Sequence, residues 1–260
     1  MEPCENVFNM SLSCINSTLD TLLLSTITTH TRESDNLSMK WWIQMAWCSI
    51  FVFMIFTATG GNTIVIWIVL AHKRMRTVTN YFLVNLSTAD LMLSTLNCFF
   101  NFIYMLQGNW RFGSWYCTAN NFIANMTVAA SVFTLTAISC DRYLAIVHPL
   151  KPRMSKVFSI FVIFLIWIFS MLLAIPCLLY STTVTYRGKR TACILIWPDG
   201  QPTISQMDFL YQVIFLVITY CVPMVLMSCC YTCMGRVLWG SKSIGEKTQR
   251  QADAIQSKRK

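Results

Sequence analysis

The sequence predicts an all-α membrane protein with five bilayer-crossing helices and its amino terminus outside. Three observations carry that prediction. Of 260 residues, 55% are hydrophobic and only 12% are charged, whereas soluble chains carry about 25% charged residues. The apolar residues fall in long blocks, giving a mean hydropathy of +0.52, and five blocks reach the roughly 20 residues that a spanning helix needs. Most of the twenty basic residues then gather on one side of those blocks. A secreted disulfide scaffold, a disordered chain and a nucleic-acid module are excluded by this pattern. The net charge of +9 is distributed as a membrane protein distributes it.

The elements follow in order. Residues 1–41 are rich in Ser, Thr and Asn and hold three acceptor sequons, at Asn9, Asn16 and Asn36, which point to a glycosylated extracellular tail. Glu2 and Glu5 stand where a signal peptide would be basic. The spans are placed at 42–70, 80–106, 117–147, 157–180 and 209–238, so that 42–238 is one bundle with no linker inside it. Several spans are long enough to tilt and still project into water. Residues 239–260 are polar and start a cytoplasmic loop. With the tail outside, the inner segments hold Lys73, Arg74, Arg76, Arg142, Lys151, Arg153 and Lys156 and seven basic residues from Arg236 onward. Sequons and charges therefore agree.

Polar residues inside apolar spans are the candidates for function. Asp90 lies deep in the second span, where an ionisable group costs about 2.5–3.5 kcal/mol on insertion scales. It is either a protonated acid satisfied by a hydroxyl, or part of a cavity with Asn62 and Ser131 that takes a hydrated cation such as sodium through oxygen ligands. Asp141-Arg142-Tyr143 closes the third span at its inner end. It lies about one membrane thickness from Cys117 at 1.5 Å per residue. Cys117 and Cys193 both lie outside, where an oxidising compartment permits a disulfide; Cys4 and Cys14 are a second candidate pair in the tail. The run from Cys229 through Cys230 to Cys233 reads as packing or as an acylation site. His30, His72 and His148 are scattered, so no metal-ligand spacing appears. No phosphate loop or nucleophile elbow occurs, and neither an enzyme nor a cofactor is expected.

In this order the features resemble the rhodopsin-like G-protein-coupled receptors. Gly61-Asn62, Asn85 to Asp90, Asp141-Arg142-Tyr143, Trp167, and Pro223 with Tyr231 match the family span by span, and Trp110-Arg-Phe-Gly113 matches its first extracellular loop. Within that family the chain looks most like tachykinin-like peptide receptors, above all those of insects. Lys73-Arg-Met-Arg-Thr-Val-Thr-Asn-Tyr-Phe82, His148-Pro-Leu-Lys-Pro-Arg-Met-Ser-Lys156, Tyr180-Ser-Thr-Thr183, Trp197-Pro-Asp-Gly200 and Leu238-Trp-Gly-Ser-Lys-Ser-Ile-Gly-Glu246 carry that likeness. The resemblance implies the first five helices of a seven-helix bundle in the plasma membrane, an amidated tachykinin-like peptide as ligand, and a heterotrimeric G protein, usually Gq with calcium release, as partner. Membrane lipid and a receptor dimer are further expected partners. Asn97, Asn101, Asn121 and Gln212 match peptide-contacting positions, and Cys177 stands where vertebrate relatives carry Gln. Asp141, Arg142, Tyr143, Leu150 and Tyr231 match the activation and G-protein-coupling positions. The family's sixth helix would begin about where Ser257-Lys-Arg-Lys260 stands. The expectation is a fragment or a truncated form, the latter a non-signalling isoform that associates with complete receptors and holds them in the endoplasmic reticulum.

Overall fold

The computed structural model describes residues 41–149, 154–186, 190–200, 204–240 and 256–257. The sequons at Asn9, Asn16 and Asn36, the Cys4 and Cys14 pair, and Leu150 lie outside them. The chain divides into two units, Met1–Ile50 and Phe51–Lys260. In the first, the described residues are helical, with the Ser49 hydroxyl donating to the Met45 carbonyl at 2.9 Å.

Five helices are long and apolar enough to cross a membrane: Trp41–Ala71, Val78–Gln107, Gly113–Val147, Lys156–Tyr180 and Gln206–Trp239. Their ends are set by capping chemistry. Thr77, Ser155 and Ser205 stand at three amino termini and accept from the backbone N–H groups of Asn80, Phe158 and Asp208. The second span stops at Gly108, whose φ of 59° lies in the left-handed region. Its N–H returns to the Tyr104 carbonyl at 2.8 Å, as a helix end requires. The fifth span begins three residues earlier than the sequence places it, which draws Asp208 into the helix.

Two spans carry a wider turn, at Ser94–Cys98 and Val217–Cys221. The second has a clear cause. Pro223 has no N–H to give the Thr219 carbonyl, and its ring would strike that carbonyl in a regular helix. A π turn immediately before the proline absorbs the conflict. At Ser94 and Thr95 both hydroxyls bond back to the Leu91 carbonyl, at 3.1 and 2.7 Å, a pattern that bends helices.

Lipid tails are as apolar as leucine, so spans are held together by close packing and hydrogen bonds. Small residues accordingly fill the contacts: Ala89, Ala130, Ala174, Ser159 and Ser170 are fully buried. Large apolar side chains such as Phe164, Leu172, Phe209 and Val225 face outward. Phe82, Ala89, Ala130 and Ile166 form the core between spans two, three and four. Asn85 fastens it, donating to Thr134 Oγ1 at 2.8 Å and accepting from Trp167 Nε1 at 2.7 Å.

Between spans four and five the sequence suggests only a loop. The structure instead has an antiparallel pair, β1 (Ser181–Tyr186) and β2 (Arg190–Leu195), with Thr183 opposite Cys193. The β-branched run Thr182-Thr-Val-Thr185 suits a strand. Cys193 is bonded to Cys117 with a Cα separation of 5.6 Å. Thr191 adds two ties, donating to Asn109 Oδ1 at 2.8 Å and accepting from the Trp110 N–H at 2.7 Å. The hairpin is thus anchored both to the third span and to the turn before it.

Candidate functional site

At the disulfide end, amide side chains link the spans. Asn97 is buried in the π turn of span two and donates to Asn120 Oδ1 at 3.1 Å. Asn120, only 1% exposed, donates in turn to Asn101 Oδ1 at 3.3 Å. Asn97 and Asn101 are one helical turn apart, so a single side chain on span three reaches both. Asn121 points elsewhere, about 100° further round the helix, and donates to Ser181 Oγ at 3.1 Å on the hairpin. The sequence singled out Asn121 and passed over Asn120, although the pair is adjacent; the i, i+4 spacing of Asn97 and Asn101 is the signal that an amide must face them.

Gln212 sits on a second network. Its Nε2 donates to Asp208 Oδ2 at 2.9 Å, while Trp197 Nε1 donates to Asp208 Oδ1 at 2.9 Å. Trp197 and Asp208 are both buried. Trp197 packs on Tyr180 and Tyr211, with ring centroids 4.6 and 5.6 Å away. Tyr211 and Cys177 interact at 3.3 Å, and Asn125 donates to the same sulfur at 3.2 Å. In the turn after the hairpin, Asp199 accepts from the Ser205 hydroxyl at 2.6 Å and from the Met207 N–H at 2.9 Å. Those two donors, the hydroxyl foremost, hold its carboxyl below the ordinary Asp range.

In the middle of the bundle, Ser131 Oγ donates to Asp90 Oδ1 at 2.8 Å. Asn62 turns its amide back to the Ala58 carbonyl of its own helix at 2.9 Å. Asp90 and Ser131 are therefore joined, and Asn62 bonds within the first span. A carboxylate and a hydroxyl are oxygen donors that suit a hard cation. No group of three or more His, Cys, Asp or Glu that could hold a metal occurs among the described residues.

At the opposite end, Asp141 and Arg142 meet at one hydroxyl. Thr79 Oγ1 donates to Asp141 Oδ2 at 3.1 Å and accepts from Arg142 Nη2. These groups line a cleft of about 300 Å³ together with Leu144, His148 and Met154. Tyr143 lies edge-on to His148, with centroids 5.8 Å apart. Tyr231 accepts from Ser139 Oγ at 3.3 Å, one turn inward of Arg142. Thr79 was not singled out in the sequence; its place in the first turn of the second span gave no sign that it reaches across to the third.

The structure thus offers a tethered, amide-lined end and a charged end joined by the third span. The family model described as 7 transmembrane receptor (rhodopsin family) matches residues 61–260. Over 254 residues the chain is 53% identical to the tachykinin-like peptides receptor 86C of Drosophila melanogaster, covering 96% of this chain and 50% of that one. It is 50% identical over 226 residues to the tachykinin-like peptides receptor 99D of the same fly, covering 85% and 44%. The neuromedin-K receptor of Homo sapiens is 43% identical over 219 residues, covering 84% and 46%. The chain spans about half the length of the curated relatives it matches. With five membrane-crossing helices of the expected order and this match along most of its length, the chain belongs to the rhodopsin family of seven-transmembrane receptors.

Proposed function

We propose that this chain contributes the first five helices of a plasma-membrane receptor for an amidated tachykinin-like neuropeptide, a receptor that signals through a heterotrimeric G protein of the Gq class. Its likeness to two fly tachykinin-like peptides receptors carries this reading. The peptide binds at the outer end, where Asn97, Asn101, Asn121 and Gln212 offer neutral donors and acceptors. A side-chain amide has a carbonyl and an N–H₂ group. Asn101 uses its carbonyl on Asn120 and presents its N–H₂ to a peptide carbonyl. The hairpin held by Cys117–Cys193 forms one wall of the site and brings Trp197 to it.

Asp90 and Ser131 take a hydrated cation that stabilises the resting bundle. At rest Thr79 holds Asp141 and Arg142; activation releases Arg142 to face Tyr231, while Tyr143 and Leu150 meet the G protein. The test is a chimera in which residues 1–260 are continued by the remaining helices of the Drosophila receptor 86C, expressed in calcium-reporter cells. An amidated tachykinin-like peptide should evoke a dose-dependent calcium rise. Asn101→Ala should weaken potency about tenfold, the equivalent of 1.4 kcal/mol, at unchanged surface level. A surface-expressed chimera without response would overturn the reading; unchanged potency in Asn101→Ala would remove that contact.

A further inference from the structure

Spans four and five each pack on span three, and a groove of about 360 Å³ opens between them. Ile166 and Pro223 belong to its buried floor, while Leu165, Phe169, Val222 and Leu226 stand exposed along its rim. Thr136 also lines it, but its hydroxyl donates to the Val132 carbonyl of its own helix at 2.9 Å. Ile166 and Pro223 lie near the centres of their spans, so the groove faces the middle of the bilayer. Hydrocarbon, not water, surrounds a protein at that depth.

The face of the fifth span that lines this groove carries two cysteines. At 3.6 residues per turn, Val222, Leu226, Cys229 and Cys233 fall within about 60° of one another around the helix. Cys229 is exposed and Cys233 half-buried. Their depth follows from the contact of Ser139 Oγ with Tyr231 Oη at 3.3 Å. Spans three and five run the same way through the membrane, so Cys233, two residues beyond Tyr231, is level with Asp141 at the charged inner boundary. Cys229 lies about 6 Å deeper at 1.5 Å per residue. Val222 lies about 16 Å from Cys233 by the same rise. The acyl chains of one leaflet reach about 15 Å, half of the roughly 30 Å hydrocarbon core. A chain of that length anchored at Cys233 therefore ends in the groove.

We propose that Cys233 is an S-acylation site, and that its thioester-linked acyl chain runs past Cys229 into the groove between spans three, four and five. Juxtamembrane cysteines are the ones that accept such chains. The donor is a long-chain acyl-coenzyme A, whose charged part stays in the cytosol. That restriction favours Cys233 over Cys229, because the donor thioester arrives at the boundary. The Cys233 thiolate, the nucleophilic form of the thiol, attacks the thioester carbonyl carbon. A new C–S bond forms and the C–S bond to coenzyme A breaks. Coenzyme A leaves as a thiolate and takes up the proton that Cys233 lost, and nothing is oxidised or reduced. The bound chain then supplies dispersion contacts across the gap between spans four and five. None of this depends on the peptide or the G protein proposed above.

The experiment uses cells that express the 260-residue chain and are fed a palmitate analogue with a photoreactive diazirine near its methyl end. Without illumination, the peptide holding Cys233 should carry the analogue, and neutral hydroxylamine should release it. Cys233→Ser should lose the label, whereas Cys230→Ser should keep it. The Cys117–Cys193 peptide should persist in all three proteins and reports that the bundle has formed. On illumination, the analogue should join Cys233 to groove residues such as Leu165, Phe169 or Val222. An unlabelled Cys233 in the unaltered chain with Cys117–Cys193 intact would overturn the proposal, as would label at Cys229 that survives in Cys233→Ser. A labelled Cys233 whose analogue joins only membrane lipid, or outward residues away from the groove such as Leu172, would overturn the assigned place of the chain.

Discussion

Replacing Thr79 by valine removes a hydroxyl while keeping the shape of the side chain, and the two charged groups that meet there lose a shared partner. Thr79 donates to Asp141 and accepts from Arg142. Hydrogen bonds to charged groups contribute about 1.5–3 kcal/mol each. Here Arg142 is exposed, so water replaces much of what is lost. The pair together then contributes about 1–2 kcal/mol to the resting arrangement, a factor of about 5–30 in its population. If the active state holds about 1% of the receptor without ligand, Thr79→Val raises it to about 5–25%. Basal inositol phosphate in chimera-expressing cells, normalised to surface receptor, reads this directly. Thr79→Ser keeps the hydroxyl and should stay near the unaltered level. Basal signalling in Thr79→Val equal to that in Thr79→Ser would refute the claim that this hydroxyl holds Arg142 at rest.

Three further outcomes follow from the geometry. Asn85→Leu breaks bonds to Thr134 and Trp167; at about 0.6 kcal/mol for each bond between spans, thermal unfolding in detergent should fall by about 2–4 °C. Trp167→Phe, which breaks only one, should cost about half as much, and an equal cost would contradict the account. Asp199 has a lowered carboxyl pKa, so the support it gives is complete above the ordinary Asp value of 3.8 and is lost only as pH falls through the lowered one. A Trp197 fluorescence step present in the unaltered chain and missing in Asp199→Asn should therefore have its midpoint below 3.8; a midpoint above it would be inconsistent. Expressed by itself, the 260-residue chain should insert, remain largely in the endoplasmic reticulum and give no peptide-evoked calcium signal, because the family's activation moves a sixth helix; a dose-dependent response abolished by Arg142→Ala would show that five spans suffice.

Span positions were legible because hydrocarbon leaves few options: a polar backbone crossing it must be helical, so twenty apolar residues specify an element. The positions of Asp141, Arg142 and Cys117 followed from that ruler. What the ruler does not show is which face each polar residue takes. Asn85 was part of a recognisable run, yet its bonds to Thr134 and Trp167 depend on how far spans two and four rotate. Asn62 stands where a partner for Asp90 was expected, but its amide finds the Ala58 carbonyl four residues back, a bond always within reach in a helix. The hairpin was hidden for a different reason. Its strands are six residues each, and a run of threonines after an apolar helix reads as a loop until the tie at Cys193 supplies a register.

Asp208 is the instructive miss, because the sequence did carry its signal. Ser205-Gln-Met-Asp208 has the spacing of a capping box, a hydroxyl residue followed three positions later by an acid. Read as such, it starts the fifth helix at residue 206 and brings the acid into the first turn. Only half of the box forms. The Asp208 N–H bonds to Ser205 Oγ at 2.9 Å, but the carboxylate does not turn back to the Ser205 N–H. It reaches Trp197 on one oxygen and Gln212 on the other. An acid that leaves its local partner for an indole eleven residues earlier ties the end of the hairpin to the fifth helix. Asp208→Leu tests whether that tie shapes the ligand site. Leucine offers no acceptor, so the buried Trp197 indole N–H loses its partner. Leaving one buried donor unsatisfied costs about 1–3 kcal/mol, which in the chimera should weaken peptide potency by about 5–150-fold while Cys117–Cys193 stays formed. Potency unchanged in Asp208→Leu at equal surface level would mean that the hairpin is positioned by its disulfide alone.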